Sequence, residues 1–351
     1  MTEPTIRSID GLIDAGLAQS RDQSALEQVA QRYTVAITPA MAALIDHSDP
    51  DDPIARQFVP HIDELTTTPL EREDPIGDLS HSPVEGIVHR YPDRVLLKAV
   101  HICPIYCRFC FRREMVGPQG LGTLSPEALD AALNYIAAHE EIWEVILTGG
   151  DPLVLSPRRL REMMQRLAQM PHVKIVRVHT RVPVAEPDRV VPELVAALLA
   201  SGKTTYLALH ANHPRELTSE AIAGLKLLVN AGVTLLSQTV LLKGINDSVE
   251  TLAELMQAFV VNRVRPYYLH HPDLAPGTAH FRLSLAEGQA LVAGLRGRIS
   301  GLCQPTYILD IPGGHGKAPV GRPVVRPSAD GRHVVTDFRG LDHEYPPNES
   351  D

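Results

Sequence analysis

RVLLKAVHICPIYCRFCFRR, residues 94–113, passes from a strand into a loop that carries three of the chain's four cysteines. The run up to Val100 is apolar and lacks the alternation of a half-exposed strand, so it reads as buried on both faces. Five more such runs follow at WEVILTGGD (143–151), VKIVRVHT (173–180), TTYLALH (204–210), VTLLSQTVLL (233–242) and RPYYLHH (265–271). A helix-type segment follows each run. Two open on Ser-Pro at Ser125 and Ser156, and two close at Gly202 and Gly232. Six strand–helix units in succession imply a parallel sheet, because each crossover needs a helix. The class is α/β, and the pattern fits a partial (β/α)6 barrel better than a closed eight-fold one; an open doubly wound sheet is the alternative.

Residues 1–88 read as an N-terminal helical region, with SALEQVAQRY and TPAMAALIDH as short helices and HSDPDDPIARQFVP as a break. Residues 89–300 form the barrel. Residues 301–351 are a C-terminal segment with one more strand in TYILD, a Gly-rich turn, a late strand in RHVVTDF and a polar end expected to fray. A net charge of −9 over 351 residues disfavours broad nucleic-acid binding. No run approaches ~20 apolar residues, so no membrane span is expected. The first residues lack a secretory layout, so a cytoplasmic protein is expected, in which clustered thiols indicate metal or catalysis.

Cys103, Cys107 and Cys110 are spaced C-x3-C-x2-C at the C-terminal end of the first barrel strand, where barrel enzymes build their sites. Three thiolates can hold three irons of a [4Fe–4S] cluster and leave the fourth open to a small chelating ligand. A zinc site completed by His101 or a distant group is the alternative, although no second C-x2-C pair exists. LTGGD (147–151) requires only a tight turn at Gly149 and Gly150. PGGHGK (312–317) is no P-loop, because Ala318 follows the lysine and no helix opens there. Its glycines would let backbone approach a bulky ligand and present Lys317, as a covalent pyridoxal phosphate (PLP) site needs, or would form a surface turn. Asp273 and Asp310, taken singly, read as turn-capping residues.

The cysteine motif, with Phe109 before its last thiol, resembles the radical S-adenosylmethionine (SAM) superfamily. Together with RYPDR, LTGGD, NHP, VLLKGINDSVETL, VRPYYLHHPDL and DIPGGHGK, it resembles the lysine 2,3-aminomutase family from about residue 85 to 325. The resemblance implies an isomerase that moves the α-amino group of L-lysine to the β-carbon through a 5′-deoxyadenosyl radical. It implies a [4Fe–4S] cluster, SAM and PLP as cofactors, with Cys103, Cys107 and Cys110 as cluster ligands. Gly149, Gly150 and Asp151 would meet the SAM amino group, with His210 and Gln238 on the SAM-side wall. Lys317 would carry PLP, and Arg90, Tyr91 and Arg94 would hold it and its phosphate. Arg112 would grip the substrate carboxylate, and Asp273 and Asp310 the ε-ammonium. Two acids converging on one place repel unless a cation lies between them, so a glutamate-like side chain is disfavoured. Arg113 gains no role and is expected in solvent or at a helix end. An electron donor such as flavodoxin or ferredoxin and a homo-oligomer are also implied.

The chain departs from the full-length clostridial pattern. Ser248 stands where one zinc ligand would be, and no cysteine follows Cys303, which reads as a structural thiol. His315 replaces a glycine of the family's PGGGGK. A shorter relative that serves elongation factor P modification through β-lysine is the alternative function, and a non-enzymatic iron–sulfur or zinc protein the second. A metal hydrolase built on the histidines of HANHP and LHHPD would leave the three thiols unexplained.

Overall fold

The computed structural model describes residues 4–116, 122–328 and 331–347. A nine-stranded sheet runs in sequence order through β1 (Ile87–Tyr91), β2 (Arg94–Val100), β3 (Glu144–Gly149), β4 (Ile175–Thr180), β5 (Thr204–His210), β6 (Thr234–Val240), β7 (Val264–His270), β8 (Thr306–Asp310) and β9 (Lys317–Pro319). β2 to β8 are parallel, and helices span each crossover between them. This is the six-unit barrel of the sequence pattern, ended by a seventh parallel strand. β1 and β9 are additions at the two edges, each antiparallel to its neighbour. The sheet curls until these edges meet: the Lys317 N–H on β9 donates to the Tyr91 hydroxyl on β1 at 2.9 Å.

The helices start where the sequence places them. Ser125 and Ser156 cap Pro126–Ala138 and Pro157–Ala168 through their hydroxyls, with proline in the first turn, where a missing N–H costs nothing. Ser248 caps Val249–Val261 by accepting from the Thr251 N–H at 3.1 Å, so this position works as a helix cap. Strand side chains turned away from the cavity, such as Leu97 and Val145, join helix residues Leu133, Leu160 and Leu167 in one core. Leu12, Ile37, Met41, Ile54 and Phe58 of the lead-in belong to the same core, as does the buried Cys303. The lead-in holds short helical pieces that include Ile9–Asp14, Gln23–Arg32 and Pro53–Phe58, and β1 begins at Ile87, inside the region read as helical.

Polar anchors also join the lead-in to the barrel. Glu64 is fully buried and accepts from Arg108 Nε at 2.9 Å, Arg108 Nη2 at 2.6 Å and Arg113 Nη2. Burial raises its carboxyl pKa, but the two guanidiniums outweigh this and hold it below the usual range. Arg113 is therefore not in solvent, as the sequence suggested. It is 6% exposed, stacked 3.4 Å over the Tyr33 ring and bonded to the Arg108 and Gly277 carbonyls.

The C-terminal segment corrects another expectation. RHVVTDF does hold a strand, but the polar end beyond it is also ordered. β10 (Val325–Pro327), β11 (His333–Thr336) and β12 (Asp342–Tyr345) form an antiparallel sheet. Its order comes from local hydrogen bonds: the Asp337 carboxylate accepts from the Arg339 and Leu341 N–H groups at 2.8 and 2.9 Å, and Asp342 accepts from the Thr336 hydroxyl at 2.7 Å. Residues 348–351 of that end lie outside the described residues.

Glu64→Ala would leave two guanidiniums buried without a counter-charge. It is expected to cost about 3–5 kcal/mol, read as a lower urea midpoint at an unchanged m-value.

Candidate active site

The curled sheet and the loops at the C-terminal ends of its strands enclose a cavity of about 540 Å³. Every site residue expected from the sequence lines it, so Lys317 on β9 and the thiols after β2 face one space.

At one pole the cysteine loop is pinned from below by β3. A Cβ on Gly149, where φ is +108°, would lie 2.6 Å from the Val100 carbonyl oxygen, and one on Gly150 would lie 2.3 Å from that of Ile102. The Gly150 and Asp151 N–H groups donate to those same oxygens at 2.6 and 2.9 Å. The two glycines thus let protein backbone approach protein backbone just before Cys103. The Asp151 carboxylate, expected to face the SAM amino group, already accepts from the Thr180 hydroxyl at 2.7 Å and the Leu153, Arg181 and Val182 N–H groups at 3.0, 2.7 and 3.2 Å. It ties β3 to the end of β4.

The three thiols are half-buried. Burial, Asp151 and the other two thiols push Cys103 far up, and burial and Cys107 push Cys110 up to about 11. Burial also raises Cys107, against the opposing pull of Arg181. Thiols so placed ionise only beside a strongly positive centre, which iron supplies. Among the described residues no three His, Cys, Asp or Glu side chains converge as ligands of a single metal ion. Arg181 Nη1 donates to Cys107 Sγ at 3.1 Å, while its Nη2 is held by Glu216 at 2.5 Å and Gln57 at 2.6 Å. Sequence reasoning missed this buried network, because its members Gln57, Cys107, Arg181 and Glu216 lie in four separate segments with no shared motif.

At the other pole, Lys317 Nζ pairs with Asp310 Oδ1, and His270 Nδ1 lies 3.2 Å from Asp310 Oδ2. Burial works against the charge on Asp310, but His270 and Lys317 hold its carboxyl well below the usual range. Asp273 behaves oppositely: burial and the nearby Asp310 charge push it up to about 7. Arg112 and Arg90 both grip Asp78, a 2% exposed acid of the lead-in, at 3.0 and 3.1 Å. Asp78 was also missed, since nothing in GDLSH marks it. The Arg94 guanidinium stacks 3.8 Å over the Tyr91 ring. His210 packs its ring 5.8 Å from that of Phe109, and Gln238 stands beside it on β6 in register. His315 is exposed and outside the cavity lining.

Residues 97–256, which hold parallel strands with the thiols at their C-terminal mouth, match the sequence model of the Radical SAM superfamily, and this makes the chain a radical SAM enzyme. The L-lysine 2,3-aminomutase of Clostridium subterminale is 40% identical over 324 residues, covering 92% of this chain and 77% of that protein. That of Fusobacterium nucleatum is 41% identical over 311 residues, covering 89% and 73%. The glutamate 2,3-aminomutase of Clostridioides difficile is 36% identical over 315 residues, covering 90% and 74%. The chain belongs to the lysine 2,3-aminomutase family and is a radical SAM isomerase, a family that implies a [4Fe–4S] cluster and SAM. No described helix is long and apolar enough to cross a membrane.

The Asp273 carboxyl keeps its proton in the folded chain up to about pH 7, whereas the unfolded chain releases it near the ordinary value of 3.8. Between those values the folded state binds more protons, so stability falls with rising pH, by at most about 1.4 kcal/mol per unit from this group. Asp273→Asn should flatten that slope in urea unfolding of the protein without added cofactors, and so be more stabilising at pH 7.5 than at pH 4.5.

Proposed function

We propose that the protein converts L-lysine to β-lysine by 1,2-migration of the amino group, with PLP bound covalently at Lys317. The observation that carries this reading is the pairing of Asp273 with Asp310 beside Lys317 in a cavity that also holds Arg112. Two neighbouring acids, one neutral up to about pH 7 and one ionised, form a receptor for a single cation. A terminal ammonium draws Asp273 into its charged form and satisfies both acids. A carboxylate side chain would meet repulsion there, which favours lysine over glutamate.

The other residues fit the same ligand. The Arg112 guanidinium can take the α-carboxylate through paired N–H donors in exchange for Asp78. Arg90 and Arg94, with the Tyr91 hydroxyl, supply cationic and polar contacts for the PLP phosphate. Arg90 Nε is buried without a partner among the described residues, which leaves a donor free for it. When bound, the cluster with SAM supplies one-electron hydrogen abstraction, and PLP supplies the carbon that carries the migrating amine. The chain's part is placement: Ile105, Ile146, Ala208 and Val240 give parts of the cavity wall a carbon surface, and the polar groups around them hold the ligand in one orientation. Asp151 acts here as a brace, and backbone at positions 149–150 is left to face SAM.

The test is anaerobic reconstitution with iron, sulfide, PLP, SAM and a reductant, followed by product analysis on lysine, glutamate, alanine and lysyl-elongation factor P. β-Lysine alone is expected. Conversion of glutamate but not lysine would overturn the reading, and conversion only of lysyl-elongation factor P would move it to that substrate. Cys107→Ala should lose the cluster absorption and activity. Lys317→Ala should keep the cluster and lose the covalent PLP absorbance.

A further inference from the structure

We infer that His270 is a positioning residue of the ammonium site, whose Nδ1–H fixes the Asp310 carboxylate so that it faces the ligand's terminal ammonium together with Asp273. The inference rests on the lysine reading above. His270 is the last residue of β7, is 7% exposed and lines the cavity. The Tyr268 ring meets it edge-on at 5.9 Å. Its Nδ1 reaches Asp310 Oδ2 at 3.2 Å, and its Nε2 has no partner among the described residues.

The charge state explains why an imidazole stands here. Burial keeps the ring below its usual protonation range, against the pull of Asp310, and the Lys317 charge acts in the same direction as burial. A neutral ring beside a carboxylate carries its proton on the nitrogen that faces the carboxylate. His270 therefore orients Asp310 without cancelling its charge. The contrast lies in the same cavity, where Asp78 is gripped by two guanidiniums and its charge is spent on them. Lys317 Nζ on Asp310 Oδ1 marks where an ammonium docks. A lysine engaged covalently with a cofactor no longer presents that ammonium, and Asp310 is then left with a neutral donor and an open face. Without His270, Asp310 would be free to turn and share a proton with Asp273, and the cation receptor would lose its anion.

The test compares equilibrium binding of L-lysine and L-norleucine, its counterpart without the ammonium, to PLP-loaded protein, read from the cofactor's absorbance. His270→Phe is expected to weaken lysine binding by about tenfold or more while norleucine stays within about threefold. His270→Asn, whose amide N–H stands near the place of Nδ1, is expected to restore lysine binding to within about threefold. An unchanged lysine-to-norleucine ratio in His270→Phe, including equal loss of both, would overturn the inference. So would failure of His270→Asn to restore lysine while norleucine binds normally. Wild-type protein that binds the two ligands equally would overturn the lysine reading itself, and the inference with it, before any variant is made.

Discussion

The contact between the β3 glycines and the backbone leading to Cys103 is what the site depends on. A parallel sheet brings all its strand ends to one mouth, but it does not by itself hold an irregular loop there. Gly149 and Gly150 do so, by letting two chains approach more closely than any side chain permits. The thiols then project over the mouth, and the remaining strands supply the other groups in turn: Asp151 and Arg181 beside the thiols, His210 and Gln238 midway, His270, Asp310 and Lys317 opposite.

Electrostatics divides the cavity into two poles. Near the thiols, every acid is spent: Asp151 on backbone donors and Glu216 on Arg181 and its own loop. Near Lys317, acids are held in reserve, with Asp273 protonatable near neutral pH and Asp310 ionised. A pole with low residual negative charge suits a cluster already ligated by thiolates. A pole with available carboxylates suits a cationic ligand. On the proposed reading, radical chemistry has one location in the cavity and substrate choice another.

Much of this was legible in the sequence. The six strand–helix units, their serine caps and the seventh strand follow from local patterning, which a parallel sheet writes into consecutive residues. That the thiols, the glycines and Lys317 belong to one place was legible because they stand out as unusual residues at short spacings, and all of them line the cavity. What escaped was long-range polar pairing. Asp78 sits in a loop, Glu64 in a single helical turn and Gln57 near the end of a six-residue helix, all too short to show periodicity, and each gains its meaning from arginines far along the chain. β1 escaped because it is short and ends in a Pro-containing turn. β12 escaped because its order rests on exposed hydrogen bonds, while sequence patterns report apolar burial. Arg113 was misjudged for the same reason, since its partners Glu64, Tyr33 and Gly277 lie far from it in the sequence.

The dependence of barrel arginines on lead-in acids has a consequence for dissecting the protein. A fragment excised at the first barrel strand would retain Arg108, Arg112, Arg113 and Arg181 but forfeit Glu64, Asp78 and Gln57, which now neutralise or hydrogen-bond them. Guanidiniums stranded in a dry interior would draw in water or bulk anions and prise the thiol loop from its seat. The minimal unit able to house the cofactor is therefore longer than the sheet that surrounds it.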